Sequence, residues 1–504
     1  MVHKIISFFK SLNERQALLI LIGATFGLRL YAVLMAKGIA NDSAAYGFMA
    51  RDFLKGDFIK GLSSPLHPFY PFLISLVSPD TGHVEIAGRL ISLVFGTLTL
   101  IPVYYLAREI VGQKGAIFSG LFYSFHPYLV TYSGMLLSEA TYWGMLTLSI
   151  YFFWAGLKQS GVLRVTISAF FLALAYLTRP EGFGYLIVFL IWIMIYDGLK
   201  RGWLKKLGLI GALILPLFIL TIPYLIHVHR ETGQWFISKK AFGAQFQFLK
   251  WDDNEEGHPS KGFQQLNSKI KVLGSNVIHY IPFTTYHYLR AYHFSLWLFL
   301  FFGLIRTREK DLRIELFLGS LILFHLISLS TFTTSTIRFS VPLIPLSLFW
   351  AGAGFSEIQK YFQKIKISRP EKWVSFLIII AILIQFPQSL RPERRHRADQ
   401  KEVGLWLKQN TPQDAIIMSN SPQEAFYAER EFIMFPSEVP QPGGPSESYQ
   451  EIIRYAKTKG VRYILVNKNT HEMIPGFIES IQSTDLKEIF RKEDQASMIY
   501  EMVY

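Results

Sequence analysis

Residues 15–57 read "RQALLILIGATFGLRLYAVLMAKGIANDSAAYGFMARDFLKGD". From 16 to 36 the chain is apolar over a length that crosses a bilayer as a helix, roughly 17 to 25 residues. Directly behind that run come Asp42, Asp52 and Asp57, and Tyr46, Met49, Ala50, Phe53 and Leu54 recur among them at helical spacing. Asn41, Asp42 and Ser43 are all favoured at a helix N-cap, and Gly56 stands where a C-cap belongs. The stretch predicts a membrane-crossing helix followed by a short helix lying at the interface. Capping explains where the second helix starts. It does not explain an aspartate at the mouth of the first span.

Composition extends that reading to the whole chain. Of 504 residues 51% are hydrophobic and 17% charged, whereas about a quarter of a soluble protein is charged. Apolar runs of spanning length recur near 16–36, 87–107, 114–132, 137–157, 163–179, 182–196, 207–229, 291–305, 312–331, 338–356 and 373–389. The fold class is therefore a polytopic α-helical membrane protein of about eleven transmembrane helices over residues 1–390. The first run is too long for a signal-peptide core and lacks a small-residue cleavage site, so it is expected to stay as an anchor. Cysteine is absent, which removes disulfide and thiolate chemistry. The net charge of +14 is spread over connecting loops, a distribution that orients a membrane chain rather than marking nucleic-acid binding.

Lys and Arg concentrate on cytoplasmic loops. With the N-terminus inside, alternating spans put residues 108–114, 158–164, "DGLKRGWLKK", "RTREKDLR" and "EIQKYFQKIKISRPEK" inside, and each is basic. The expected outer loops are 37–86 and 230–290, with residues 391–504 also outside; "RPERRHR" at 391–397 runs against this assignment. The outer side then collects Asp42, "LHPFYP" (66–71), Ser138–Glu139, "TRPEG" (178–182) and "TIRFSVPLIP" (336–345). Ionisable residues near membrane depth are costly and tend to mark sites. Five segments converging on one face predict a pocket there.

The order of these motifs resembles the GT-C glycosyltransferases of the protein mannosyltransferase and aminoarabinose transferase kind, the family 39-like group. "NDSAAYGFMARDFLKGD" is similar to their first-loop acidic pattern, "HPFYPFLISL" to their second loop motif, and "LLSEATYWGMLTLSIYF" to their acidic helix end. "LAYLTRPEG" and "RFSVPLIPLSLFWAGAG" match in kind and order. Two departures stand out: Ser43 replaces an acidic residue, and His67 stands where some relatives have lysine. The resemblance implies transfer of a sugar from a polyprenyl-phosphate donor to a lipid, glycan or protein acceptor on the outer face. It implies no obligatory cofactor, although some relatives are stimulated by a divalent cation.

A donor of that kind leaves as a phosphate monoester, so positive charge on the phosphate matters more than acid catalysis. The acceptor hydroxyl must lose a proton, and a carboxylate within hydrogen-bond reach is its natural base. Asp42 is the candidate, an N-cap role being the bland alternative. Glu139 either orients hydroxyls or complements the dipole of its helix. Arg338 either grips a phosphate through its fork or snorkels to headgroups. His67 and Tyr46 are substrate-binding candidates on the same side. Arg179 and Glu181 flank Pro180 and either meet substrate or pair with each other. Asp52 and Asp57 read as solvated. The acidic stretch Asp252, Asp253, Glu255, Glu256 and His258 lacks metal-site spacing.

After about residue 395, "DAIIMS", "EFIMFPS", "VRYILVN" and "SMIYEMV" read as strands, and 402–409, 422–430 and 448–459 as helices. That alternation predicts a small α/β domain without a nucleotide-binding or nucleophile motif. The rival reading is a transporter or flippase, whose polar groups belong at mid-membrane in two related halves.

Overall fold

A computed structural model describes residues 13–196, 202–239, 259–306, 312–332, 336–391, 397–436, 445–467, 470, 474, 477–492 and 497–504. The acidic stretch at 252–258 and most of "RPERRHR" lie outside the described residues.

The chain opens with α1 (Glu14–Met35), whose start is a capping box: Gln16 N–H donates to the Asn13 side chain at 2.9 Å, and Asn13 N–H to the Gln16 side chain at 3.1 Å. Next comes α2 (Asn41–Leu54), which does not begin as the sequence suggests. Its N-cap is Ala40, whose N–H donates to Ser43 Oγ at 3.1 Å. Asp42 thus lies inside the first turn. Gly56 adopts φ +82 just past the helix end, as a left-handed terminator requires. Asp57 caps α3 (Phe58–Leu62) by accepting from Lys60 N–H at 3.0 Å, and the Asp52 side chain is only 17% exposed. Asp57 is exposed, as expected, and caps a helix as well; Asp52 is the more buried of the two.

The bundle continues through α4 (Phe69–Val77), α5 (Val84–Leu98) and α6 (Leu100–Phe125). At Gly112 the backbone reaches φ 76, ψ 179 and α6 doubles back, so the apolar run 84–125 makes two passes. Then follow α7 (Pro127–Ser133), α8 (Glu139–Gln159), α9 (Val162–Thr178), α10 (Glu181–Ile195) and α11 (Trp203–Thr232). Next are α12 (Pro259–Tyr292), α13 (Trp297–Leu304), α14 (Arg313–Thr331), α15 (Ile337–Ser340), α16 (Ile344–Lys364) and α17 (Pro370–Leu390).

Among the described residues six helical runs are long and apolar enough to cross a membrane; three shorter apolar helices and α8 complete the bundle. On α11, Leu204, Leu215 and Ile219 are exposed, as a lipid-facing helix demands. Inside, small residues let backbones touch. A methyl on Gly303 would sit 1.8 Å from the Trp350 carbonyl oxygen, and one on Gly354 2.0 Å from that of Phe299. Part of the expected loop 230–290 is instead the long helix α12, held by Asn276 donating to the Thr331 carbonyl (3.2 Å) and Tyr292 to that of Ser347 (3.1 Å). Its low overall apolarity, well below that of the neighbouring spans, hid it.

The C-terminal region comprises α18 (Ala398–Asn410), β1 (Ile416–Met418), α19 (Pro422–Ala428), β2 (Glu431–Ile433), α20 (Pro445–Thr458), β3 (Val461–Asn467), β4 (Leu486–Arg491) and β5 (Ser497–Met502). The sheet order is β2-β1-β3-β5-β4, with β1 parallel to β2 and β3, and β5 antiparallel to both neighbours. Val403, Leu407 and Ala428 cover one face over Ile417 and Leu465, while Tyr449, Ile452 and Ala456 cover the other over Ile464 and Val466. Because β3 is covered on both sides, it reads as a continuous apolar run. This layer rests on the membrane bundle through α19, which packs against α2.

Candidate active site

Four of the five expected segments meet at one end of the bundle and interleave their charges. Arg338, on α15, donates Nη1 to Asp42 Oδ2 at 2.7 Å and Nε to Glu139 Oε1. Arg179 donates Nη1 to the same Glu139 oxygen at 3.1 Å and Nη2 to Glu181 Oε1 at 2.9 Å. The result is one alternating chain, Asp42–Arg338–Glu139–Arg179–Glu181. Among the described residues it carries three carboxylates against two guanidiniums.

Local sequence places each member. Glu139 opens α8, and its carboxylate complements the positive helix end. Arg179 precedes Pro180, which disfavours the helical conformation and holds Arg179 extended at φ −152, ψ 139. That swing out of α9 carries its guanidinium to Glu139. It also passes over the rings of Phe339 (5.1 Å) and Tyr142 (5.7 Å). The Arg338 turn is tied down from below: His325 Nε2 donates to the Phe339 carbonyl at 3.0 Å, leaving Nδ1 to accept from Tyr185 O–H at 2.8 Å.

Burial is graded along the chain of charges. Asp42 is 44% exposed, Arg338 25%, Arg179 8% and Glu139 fully buried. Glu139 Oε2 has no hydrogen-bond partner among the described residues. The Asp42 end is the more exposed, Glu181 at the other end is 20% exposed, and Glu139 lies buried between them as the shared anion of both arginines.

Tyr46, one turn after Asp42, shares a hydrogen bond of 2.8 Å with Ser138 Oγ, next to Glu139. Its ring meets Tyr70 edge-on at 5.2 Å, and burial pushes its hydroxyl far above the ordinary phenol range, so it acts as a neutral group. His67 is set apart from the charge chain. It is buried against Tyr176 and Tyr224, with Nε2 3.2 Å from Ser238 Oγ. Beside it is a residue that sequence reading passed over. Lys239, 7% exposed, pairs with Glu231 and lies 3.1 Å from His227 Nε2 and 2.5 Å from the Leu62 carbonyl oxygen. The clue was "SKK" (238–240), shortly after the span at 207–229.

The profile of the dolichyl-phosphate-mannose-protein mannosyltransferase family matches residues 63–227, about a third of the chain. In structure the chain is similar to ArnT from Cupriavidus metallidurans, solved bound to undecaprenyl phosphate. The TM-score is 0.64 at 12% identity, over 96% of this chain and 98% of that one. This is the GT-C fold. Two more solved structures extend the likeness of fold. The Archaeoglobus fulgidus oligosaccharyltransferase matches with a TM-score of 0.55 at 12% identity over 99% of this chain and 75% of that one. The arabinofuranosyltransferase AftD from Mycobacteria matches with 0.54 at 12% over 97% and 42%. No curated protein matches by sequence.

The Archaeoglobus protein has also been solved with Zn and sulfate. Among the described residues of this chain no group of three or more His, Asp or Glu side chains is placed to hold a metal ion. At the charge chain, guanidiniums occupy the space between the carboxylates, so the donor set as arranged does not fit a divalent cation.

Proposed function

We propose that the protein is a membrane glycosyltransferase that moves a sugar from a polyprenyl-phosphate donor to a hydroxyl of a lipid, glycan or protein acceptor at the outer membrane face. The observation that carries this reading is the charge chain at one end of a GT-C bundle, with Asp42 its exposed terminus. The acceptor hydroxyl attacks the anomeric carbon while Asp42 takes its proton, and the polyprenyl phosphate leaves as a monoester. Arg338 holds Asp42 with one nitrogen and Glu139 with another. Its Nη2 makes no hydrogen bond among the described residues and is the nitrogen we assign to a phosphate oxygen. Glu139, sealed beneath, serves by fixing both arginines. His67 and Lys239 supply the second polar flank, suited to the lipid head group.

The architecture also supports the orientation read from the loops. Helix α8 starts at Glu139 in the site and ends at Gln159, roughly 30 Å away at 1.5 Å per residue. At that far end Lys158 pairs with Glu109 (3.0 Å) and Arg108 with Glu14 (3.1 Å). We assign that basic end to the cytoplasm, and the site and the C-terminal region (391–504) to the outside.

Asp42→Asn tests the chemistry. Asparagine keeps the size and a hydrogen bond to Arg338 but cannot take a proton. With a polyprenyl-phosphate sugar that the wild type uses, turnover is expected to fall roughly 10²–10⁴-fold while donor affinity holds. Near-normal turnover would remove Asp42 as the base.

A further inference from the structure

Helix α2 carries Asp42 but does not cross the membrane; it is clamped between two bodies. Residues 42 and 46 lie four apart, on one face, and Tyr46 seats that face on the bundle through Ser138 and Tyr70. Gly47 and Arg51, also four apart, lie on another face and meet the C-terminal region. A methyl on Gly47 would fall 2.2 Å from Cε2 of Phe426, so the ring of α19 rests directly on the helix backbone. Phe48 stacks on Phe432 at 6.3 Å and meets Phe426 edge-on at 6.0 Å.

Arg51 locks this contact. It is 8% exposed, its guanidinium sits 4.1 Å from the centre of the Phe426 ring, and Nη1 donates to the Phe426 carbonyl at 2.8 Å. Its Nε donates to the Thr81 carbonyl at 3.0 Å, which ties in the loop before α5. At the opposite end of α2 the Gln423 amide bonds the Asn41 side chain, and Arg397 Nη1 donates to the Ile39 carbonyl at 2.7 Å. Both ends of the helix that bears Asp42 are therefore held by residues 397–432.

We infer that the C-terminal region is a positioning element for the reaction: through Phe426 and Arg51 it sets where α2 holds Asp42 against Arg338. The inference rests on the reading of Asp42 as the base. It gives the α/β layer, which carries no catalytic motif, a defined task. Near-attack geometry tolerates little error, and a displacement of about 1 Å can cost roughly 10²-fold in rate.

The chain has no cysteine, so two nitroxide labels can be placed without background, at Lys55→Cys beyond α2 and Gln159→Cys at the far end of α8. The full chain is reconstituted in lipid nanodiscs. Gly47→Ala, which wedges α19 off α2, is expected to broaden the label-to-label distance distribution. It should lower kcat roughly 10- to 100-fold, with KM for the polyprenyl-phosphate sugar within about twofold. Adding Phe426→Leu makes room for the new methyl and should restore both. Arg51→Lys, which keeps the charge and loses the fork, should reproduce the Gly47→Ala pattern more weakly. An unchanged distance distribution in Gly47→Ala, or a broadened one with wild-type kcat, would overturn the inference. Normal turnover in Asp42→Asn is a separate failure: it sinks the base and leaves the label distances as they are.

Discussion

Glu139→Gln probes the centre of the charge chain. The wild-type carboxylate is fully buried, and one of its oxygens accepts from both Arg179 and Arg338. The amide has nearly the same shape but no charge, so two guanidiniums then face each other across a neutral group. Removing one partner of a buried ion pair costs about 3–5 kcal/mol when the other charge is stranded. Here neither arginine is stranded, since Arg179 keeps Glu181 at 2.9 Å and Arg338 keeps Asp42 at 2.7 Å. Arg338 is also 25% exposed, and water screens part of its loss. The expected destabilisation is therefore at the low end, about 3 kcal/mol, or roughly a hundredfold in the folding equilibrium. Thermal melts in nanodiscs should show the midpoint lowered by roughly 3 °C. Turnover per folded molecule should drop as well, because Arg338 is pushed away from Arg179 and takes Asp42 with it. Glu139→Asp, which retains the charge on a shorter arm, should lie between. A Glu139→Gln protein that melts and turns over like wild type would refute the role of Glu139 as the shared anion.

Arg338→Ala should weaken binding of a polyprenyl-phosphate sugar at least tenfold, and Arg338→Lys should restore it only in part, because lysine cannot span Asp42, Glu139 and a phosphate at once; equal affinity in all three proteins would take Arg338 out of the site. In the C-terminal region Glu424 is buried, and desolvation raises its carboxyl from the ordinary 4.5 to about 8, against the pull of Arg397. The folded protein then holds a proton that the unfolded chain releases, so stability should fall as pH rises from 4.5 towards 8 and level off above, and Glu424→Gln should remove that slope; an unchanged slope in the variant would mean that Glu424 is not the group responsible. A reporter fused after Tyr504 should be active only when it functions outside the cytoplasm, and activity confined to the cytoplasm would reverse the orientation.

The spans were legible because a bilayer imposes length and apolarity on every helix that crosses it, and those are properties of a contiguous run. The candidate site was legible only as a set of residue types at span ends. That Arg338 pairs with Asp42 and with Glu139 follows from helix packing across 296 and 199 residues of chain, which no local pattern encodes. The start of α2 misled because Asn41, Asp42 and Ser43 are all good caps; Ser43 won by reaching back to Ala40, which left the Asp42 carboxylate for Arg338. Strand β4, "LKEIFR", escaped notice because it is an edge strand with Lys487, Glu488 and Arg491 on it, and edges tolerate charge that central strands do not. Lys239 was missed because a lysine beyond a span reads as an ordinary surface cation until its partners are seen.

The contact between Arg51 and the Phe426 carbonyl joins residues 375 apart. Chains are made from the N-terminus, and early segments fold while later ones are still being synthesised. All the charged side chains of the site exist once residue 338 has been made, yet the outer face of α2 stays bare until residues 397–432 arrive. By the end of that interval the spans have been made while α2 is still unsecured on that face. On the proposed reading, a chain cut short before residue 397 would be membrane-inserted but inert, so turnover of a lipid-linked sugar would begin only once residues 397–432 have been made.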